Sequence, residues 1–336
     1  MKQVLAACQE LEKVLRLPKA RRKAFESSLP IHQDGSCNGL QHYSALGRDQ
    51  KGGEQVNLTL SAVPGDVYTA VMKVVAAKCV IYLYFYCYCA TKAQLVDGHI
   101  TRKMVKQTVM TSVYGVTLIG ASAQILQRLR DTPALAGLED NLLRPASGFL
   151  AKLTLQSLGE VFQSATASQN WLTEVARIMC KTGCPMQWVT PLGMPIIQPY
   201  RKERGFQVVT HLQKVTLNSS GGHLPIDSLK QKVAFPPNFI HSLDASHMLL
   251  TAIECSRQNI EFAAVHDSYW THAATVDEMN GILRDKFVEL HENALLENVK
   301  CGLEEMHPKL KGLLPDPPEM GTLDLEQVKK STFFFH

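Results

Sequence analysis

The chain has 336 residues, 45% of them hydrophobic and 20% charged, with a formal net charge of +4. That length and apolar content support a buried core divided into about two lobes and exclude a disordered chain. The charge is too mild to identify a nucleic-acid binder by itself.

Met1 to Glu26 reads as an amphipathic helix, and Glu10, Glu12 and Glu26 argue against an organelle transit peptide; no signal peptide is evident. Lys19, Arg21, Arg22 and Lys23 form the first basic cluster. Others follow at Arg102, Lys103 and Lys106, at Arg201, Lys202 and Arg204, and at Lys230 and Lys232. Each reads as a solvated face on its own; several on one chain suit a polyanionic partner. Pro30-Ile31-His32-Gln33-Asp34 is an apolar approach ending at an aspartate before the small residues Gly35 and Ser36, the pattern of a strand delivering a carboxylate to a turn.

Residues 67–77 have helical spacing, and then Cys79 to Ala90 forms an unbroken apolar and aromatic run. Its length is too short to span a bilayer, which takes about 20 residues. Its aromatic density predicts a strand or an aggregation-prone segment. No function follows from it. Helical spacing returns over 100–114, 150–162 and 168–180. Met186 to Tyr200 reads as a hairpin turning at Thr190-Pro191-Leu192-Gly193. Gln207 to Leu217 alternates and breaks at Asn218 to Gly222, a second hairpin or a mobile loop. A helix is predicted from Phe235 to about Arg257. A short strand over 261–265 then ends at His266-Asp267, and a helix runs from Val276 to about Asn293. Pro315, Pro317 and Pro318 mark a late linker. The nine cysteines lack Cys-x-x-Cys spacing and read as buried, reduced thiols of a reducing interior.

The chemistry concentrates at Asp34, Asp267 and the helix between them. At about 100° per residue, Arg102, Lys106, Met110 and Tyr114 drift only about 40° per step and line one slowly winding face. Two cations, an apolar surface and an aromatic hydroxyl suit a triphosphate, a sugar and a base. Gly115 follows at the helix end, where a small residue allows close approach of a base pair. Two carboxylates for Mg²⁺ together with cations for a triphosphate are the minimum equipment for nucleotidyl transfer.

These segments resemble three motifs of the single-subunit, bacteriophage-type RNA polymerases, the mitochondrial branch above all. Asp34-Gly35-Ser36-Cys37-Asn38-Gly39-Leu40-Gln41-His42-Tyr43 resembles motif A, Arg102-x3-Lys106-x7-Tyr114-Gly115 motif B, and His266-Asp267-Ser268 motif C. Phe235 to Asp244 and the C-terminal Ser331-Thr332-Phe333-Phe334-Phe335 agree as well. The aromatic run and the stretches 120–147 and 200–232 fall outside the resemblance.

The resemblance implies an α+β right-hand polymerase core, an antiparallel palm sheet with a mainly helical fingers lobe. Palm would take 1–66 and 241–336, fingers 67–240, with thumb and N-terminal domain missing and promoter-dependent initiation therefore absent. Asp34, Asp267 and the Gly35 carbonyl would hold two Mg²⁺ ions. Arg102 and Lys106 would clamp the triphosphate, with Met110 also among the nucleotide-binding residues. Tyr114 and His241 would sit near the ribose 2′-hydroxyl, for which Gly39 would leave room. Gly115, His266 and Ser268 would serve the primer and template, and the C-terminal aromatics would pack near the catalytic floor. DNA template, nascent RNA, ribonucleoside triphosphates and mitochondrial transcription factors are the implied partners, with no membrane and a mitochondrial location. A family A DNA polymerase shares the motif B pattern, but Gly39 and Ser268 stand where its motifs A and C carry carboxylates. A non-catalytic nucleic-acid-binding fragment stays open.

Overall fold

In the computed structural model, which describes residues 2–85, 87–202, 204–219 and 224–335, apolar stripes at helical spacing organise most of the chain. Helix α1 (Lys2–Arg16) and a 3₁₀ turn (Lys19–Ala24) lead into strand β1 (Pro30–Asp34), then α2 (Asn38–Leu46) and α3 (Gln50–Gln55). Next come α4 (Val67–Phe85), α5 (Cys87–Val96), α6 (Arg102–Ser112), α7 (Leu118–Arg130), α8 (Asp140–Val161) and α9 (Gln163–Lys181). Two hairpins follow, β2 (Gln187–Val189) with β3 (Pro195–Ile197) and β4 (Arg204–Val209) with β5 (Lys214–Ser219). The long α10 (Ser228–Arg257), β6 (Ala263–Val265), β7 (Ser268–His272), α11 (Val276–Glu292), α12 (Leu295–Met306) and α13 (Glu326–Lys330) complete the order. The mixture of helices with small antiparallel sheets is an α+β fold.

One sheet positions the chemistry. It runs β1-β7-β6, antiparallel throughout, with Asp34 opposite Ser268 and Val265 opposite Ser268 on the other side. Tyr269 and Thr271 alternate into the core from the central strand, as a half-buried strand requires. Tyr269 stacks on Phe335 at 5.4 Å, and a bridge joins Gly35 to Phe335, so the C-terminal aromatics lie beneath the site. Helix α10 spans 30 residues, about 45 Å, and packs on α2, α9 and α11.

The aromatic run is helical where it is described, not a strand. Val67, Val71, Val75 and Cys79 recur every four residues, are all buried, and carry the α4 stripe into the run. Tyr82 meets Phe149 of α8 edge-on at 5.4 Å, and Lys78 pairs with Glu160 at 2.6 Å. Burial along the stripe overrides the aromatic preference for strands. Helix α4 is thus longer than the run alone: residues 67–84 are long and apolar enough to cross a membrane by length and composition.

Two further boundaries differ from expectation. The second hairpin turns at 210–213 instead of 218–222, because the Thr210 hydroxyl accepts from the N–H groups of Leu212 and Gln213 and replaces a glycine turn. Residues 220–223 lie outside the described residues. Helix α10 begins at Ser228, a full two turns before Phe235. The Asp227 carboxylate caps it by accepting from Leu229 and Lys230, and Pro236 and Pro237 are carried inside it.

Candidate active site

Asp34 ends β1. The pairing of Val265 with Ser268 leaves His266 and Asp267 as a two-residue turn between β6 and β7. His266 takes a φ of +57°, a left-handed conformation that a non-glycine residue keeps only where its surroundings impose it. That turn delivers Asp267 beside the end of β1. Asp34, Gly35 and Asp267 line one cavity of about 460 Å³.

Helix α6 supplies the opposite wall. Met104, Val105, Thr108 and Val109 are buried, which leaves Arg102, Lys106 and Met110 on the cavity with Tyr114 just past the helix end. Gly115 follows with a φ of +77°, the conformation that turns the chain there; a Cβ would meet nothing closer than Val233 O at 3.6 Å. Its glycine therefore answers to backbone geometry, not to crowding. The expected common face of Arg102, Lys106, Met110 and Tyr114 is present.

A second chamber of about 650 Å³ shares Tyr114 and Asp267 with the first and is lined further by His241, Asp244, Met248 and His266. Tyr114 stacks on His241 at 4.6 Å and 27°. Burial first, then the negative charge of Asp244, Asp267 and Asp34, pushes the Tyr114 phenol up, so it stays a neutral hydroxyl. Burial also pushes the Cys37 thiol up to about 11, which keeps it an unreactive lining residue.

Gly39 and Ser268 do not line either chamber. Gly39 is buried in the first turn of α2, where an added Cβ would press on the Val113 side chain at 3.1 Å; the room it leaves is filled by Val113. The Ser268 hydroxyl accepts from Trp270 Nε1 at 3.1 Å along β7. Gly35 is needed for space: a Cβ there would meet Asn38 Oδ1 at 1.6 Å.

Sequence reasoning missed Asp66 and Tyr68, both on the cavity. Asp66 takes the Arg102 fork in two bonds, Nε to Oδ2 at 2.6 Å and Nη2 to Oδ1 at 3.2 Å, while also accepting from Tyr68 N and the Thr69 hydroxyl. The Arg102 guanidinium lies 4.9 Å and the Lys106 ammonium 5.4 Å from the Tyr68 ring centre. Partial burial works against the Asp66 charge, but Arg102 and Thr69 hold its carboxyl below the ordinary range. The available signal was Asp66-x-x-Thr69 just ahead of an apolar helix, a cap pattern.

The donors at the acidic end are all oxygens: two carboxylates and the Gly35 backbone. Among the described residues no three His, Cys, Asp or Glu side chains converge as a closed metal cage. Mg²⁺ is suited to that shortage, since it takes one or two carboxylates and completes its shell with water and phosphate. Asn38 Oδ1, buried beside Gly35 without a hydrogen-bond partner, adds an open acceptor to the same corner.

Comparison with known proteins matches the sequence profile of the DNA-dependent RNA polymerase family to residues 2–313. The mitochondrial DNA-directed RNA polymerase 1B of Nicotiana tabacum is 45% identical over 99% of the chain, which covers 33% of that protein. The mitochondrial DNA-directed RNA polymerase of Mus musculus is 45% identical over 99% of the chain and is covered over 28% of its length. The chain thus spans about a third of the length of these relatives. DNA-directed RNA polymerase 2A of Nicotiana tabacum, also 45% identical, is covered over 99%.

Proposed function

The chain belongs to the DNA-dependent RNA polymerase family, and we propose that it carries the nucleotidyl-transfer centre, extending an RNA 3′ end with ribonucleoside triphosphates on a DNA template. The observation that carries this reading is one cavity with Asp34 and Asp267 on one side and Arg102 and Lys106 on the other. The antiparallel sheet supports assignment of 1–66 and 241–336 to a palm and 67–240 to fingers, α10 passing from one to the other. The names of the relatives support a place in mitochondrial transcription; a matrix nucleoid setting with mitochondrial transcription factors belongs to the same proposal.

Asp34, Asp267 and the Gly35 carbonyl are the residues that would hold two Mg²⁺ ions. When bound, such ions activate the attacking 3′-hydroxyl and stabilise the leaving pyrophosphate. Arg102, its Nε–Nη2 edge held by Asp66 and its plane near the Tyr68 ring, presents the remaining Nη1–Nη2 edge to the triphosphate, and Lys106 adds a second cation. Both stabilise charge that grows on the phosphates in the transition state. Met110 offers an apolar rest for sugar or base. Tyr114, held against His241, reads the ribose 2′-hydroxyl. His266 and Ser268 set the Asp267 turn beside the primer end, and Gly115 turns the chain so that Tyr114 faces inward.

Primer–template extension with Mg²⁺ tests the reading. Ribonucleotide incorporation abolished by Asp34→Asn supports it. Preference for deoxynucleotides would move the chain to the DNA polymerases, and template binding without extension would make it a binding fragment.

A further inference from the structure

Behind the second chamber lies a buried set of histidines that the proposed chemistry does not use. His42 of α2, His247 of α10 and His291 of α11 are each at most 4% exposed. Their bonds run in a chain: Phe287 O to His291 Nδ1 at 2.9 Å, His291 Nε2 to His42 Nδ1 at 3.1 Å, and His42 Nε2 to Asp244 Oδ1 at 2.8 Å.

The directions of these bonds follow from the atoms that cannot donate. The Phe287 carbonyl only accepts, so His291 carries its proton on Nδ1 and offers a lone pair at Nε2. His42 must then donate from Nδ1. Its other nitrogen faces a carboxylate, and a proton lies between them. An ionised carboxylate only accepts, so the proton is placed on His42 Nε2. His247 is settled separately. It donates from Nε2 to Leu283 O at 2.7 Å and accepts at Nδ1 from the Tyr269 hydroxyl at 3.2 Å, a neutral ring. Burial first, then the charge of His42, holds His247 down to about 4 and His291 well below its ordinary value. The charged or titratable groups facing the cluster are Asp244, Tyr269 and Arg48, which donates to His291 O at 3.2 Å.

We propose that His42 is a buried imidazolium and a positioning residue, tying α2 to Asp244 and thereby fixing how α10 presents His241 to Tyr114. The spacing supports this: His241, Asp244, Ala245 and Met248 fall at i, i+3, i+4 and i+7 and all line the chamber, while His247 faces the core. Clamping Asp244 from behind occupies one of its carboxylate oxygens and holds the rotation of the helix that carries His241. The consequence for sugar choice rests on the proposed polymerase reading; the protonation of His42 does not.

The test has two arms on the full chain. Long-range ¹⁵N–¹H spectra of histidine-labelled protein at pH 7.5 should show His42 protonated on both nitrogens and the His247 and His291 rings on one. Asp244→Asn should convert His42 to a singly protonated ring. The second arm measures the ratio of ribo- to deoxyribonucleotide incorporation. It should fall about fivefold in His42→Phe, which removes both donors, and recover in part in His42→Gln, which restores one donor toward Asp244. A singly protonated His42 in the unaltered chain, or an unchanged ratio in an active His42→Phe, overturns the proposal. An unaltered chain that extends nothing counts against the polymerase reading alone, and the spectra still decide the state of His42.

Discussion

The two walls of the candidate site are built in opposite ways. The basic wall is local: Arg102, Lys106 and Met110 sit on one helix and Tyr114 follows at its end. The acidic wall is assembled from afar, since Asp34 and Asp267 meet only because β1 pairs with β7 across more than two hundred residues. A local wall can tolerate rearrangement elsewhere, whereas the acidic wall exists only while the sheet and the aromatic layer beneath it are intact.

The largest effect should come from the acidic wall. Asp34→Asn or Asp267→Asn keeps shape and removes a charge worth several kcal/mol to a bound metal. Extension should fall roughly a thousandfold or more, with a thermal midpoint close to that of the parent. Near-normal extension by either variant would remove the two carboxylates from the chemistry.

Acid should loosen the same wall from behind. His247 supports Tyr269 of the central strand, and its folded value of about 4 lies below the ordinary 6.5. A depressed base is protonated more readily in the unfolded chain, so its contribution is complete above pH 6.5. It is lost as pH falls toward 4, to a total of about 3 kcal/mol. His291 acts in the same direction. Thermal midpoints of the parent should therefore drop between pH 6.5 and 4 more steeply than those of His247→Gln; parallel curves would contradict this.

On the basic wall, Arg102→Lys keeps the charge but loses the fork that Asp66 orients, so KM for the nucleotide should rise about tenfold with less change in kcat. An unchanged KM would place the triphosphate elsewhere. Tyr114→Phe is the mildest test. One hydroxyl is worth about 0.5–1.5 kcal/mol, so ribose preference should relax by up to about tenfold while ribonucleotide extension continues. A constant ratio would take Tyr114 out of sugar selection.

The same contrast explains what could be read in advance. The face of α6 was legible because helical period alone places Arg102, Lys106 and Met110 together. Both aspartates were recognisable from their strand-and-turn settings, yet β7 went unread. Ser268 to His272 follows Asp267 directly, and its strand character depends on partners on both sides. Gly39 was expected to leave room for a ribose hydroxyl; only the packed structure reveals Val113 against it. Asp66 was hidden because its partner Arg102 lies 36 residues away. The run from Cys79 was misread for the reverse reason: local aromatic preference pointed to a strand, and distant burial against α8 made it a helix.

The bridge between Gly35 and Phe335 also orders events in time. Gln41 in α2 gives its amide to Phe334 O at 3.1 Å, and the Ser331 hydroxyl reaches Asn57 O at 2.7 Å. Gln41 and Asn57 thus wait for residues 331–335, made long after them, before these buried bonds form. A nascent chain would hold the aspartate of β1 in an unfinished setting until residues 331–335 emerge. The centre would become competent only when the segment that carries Phe335 closes beneath it.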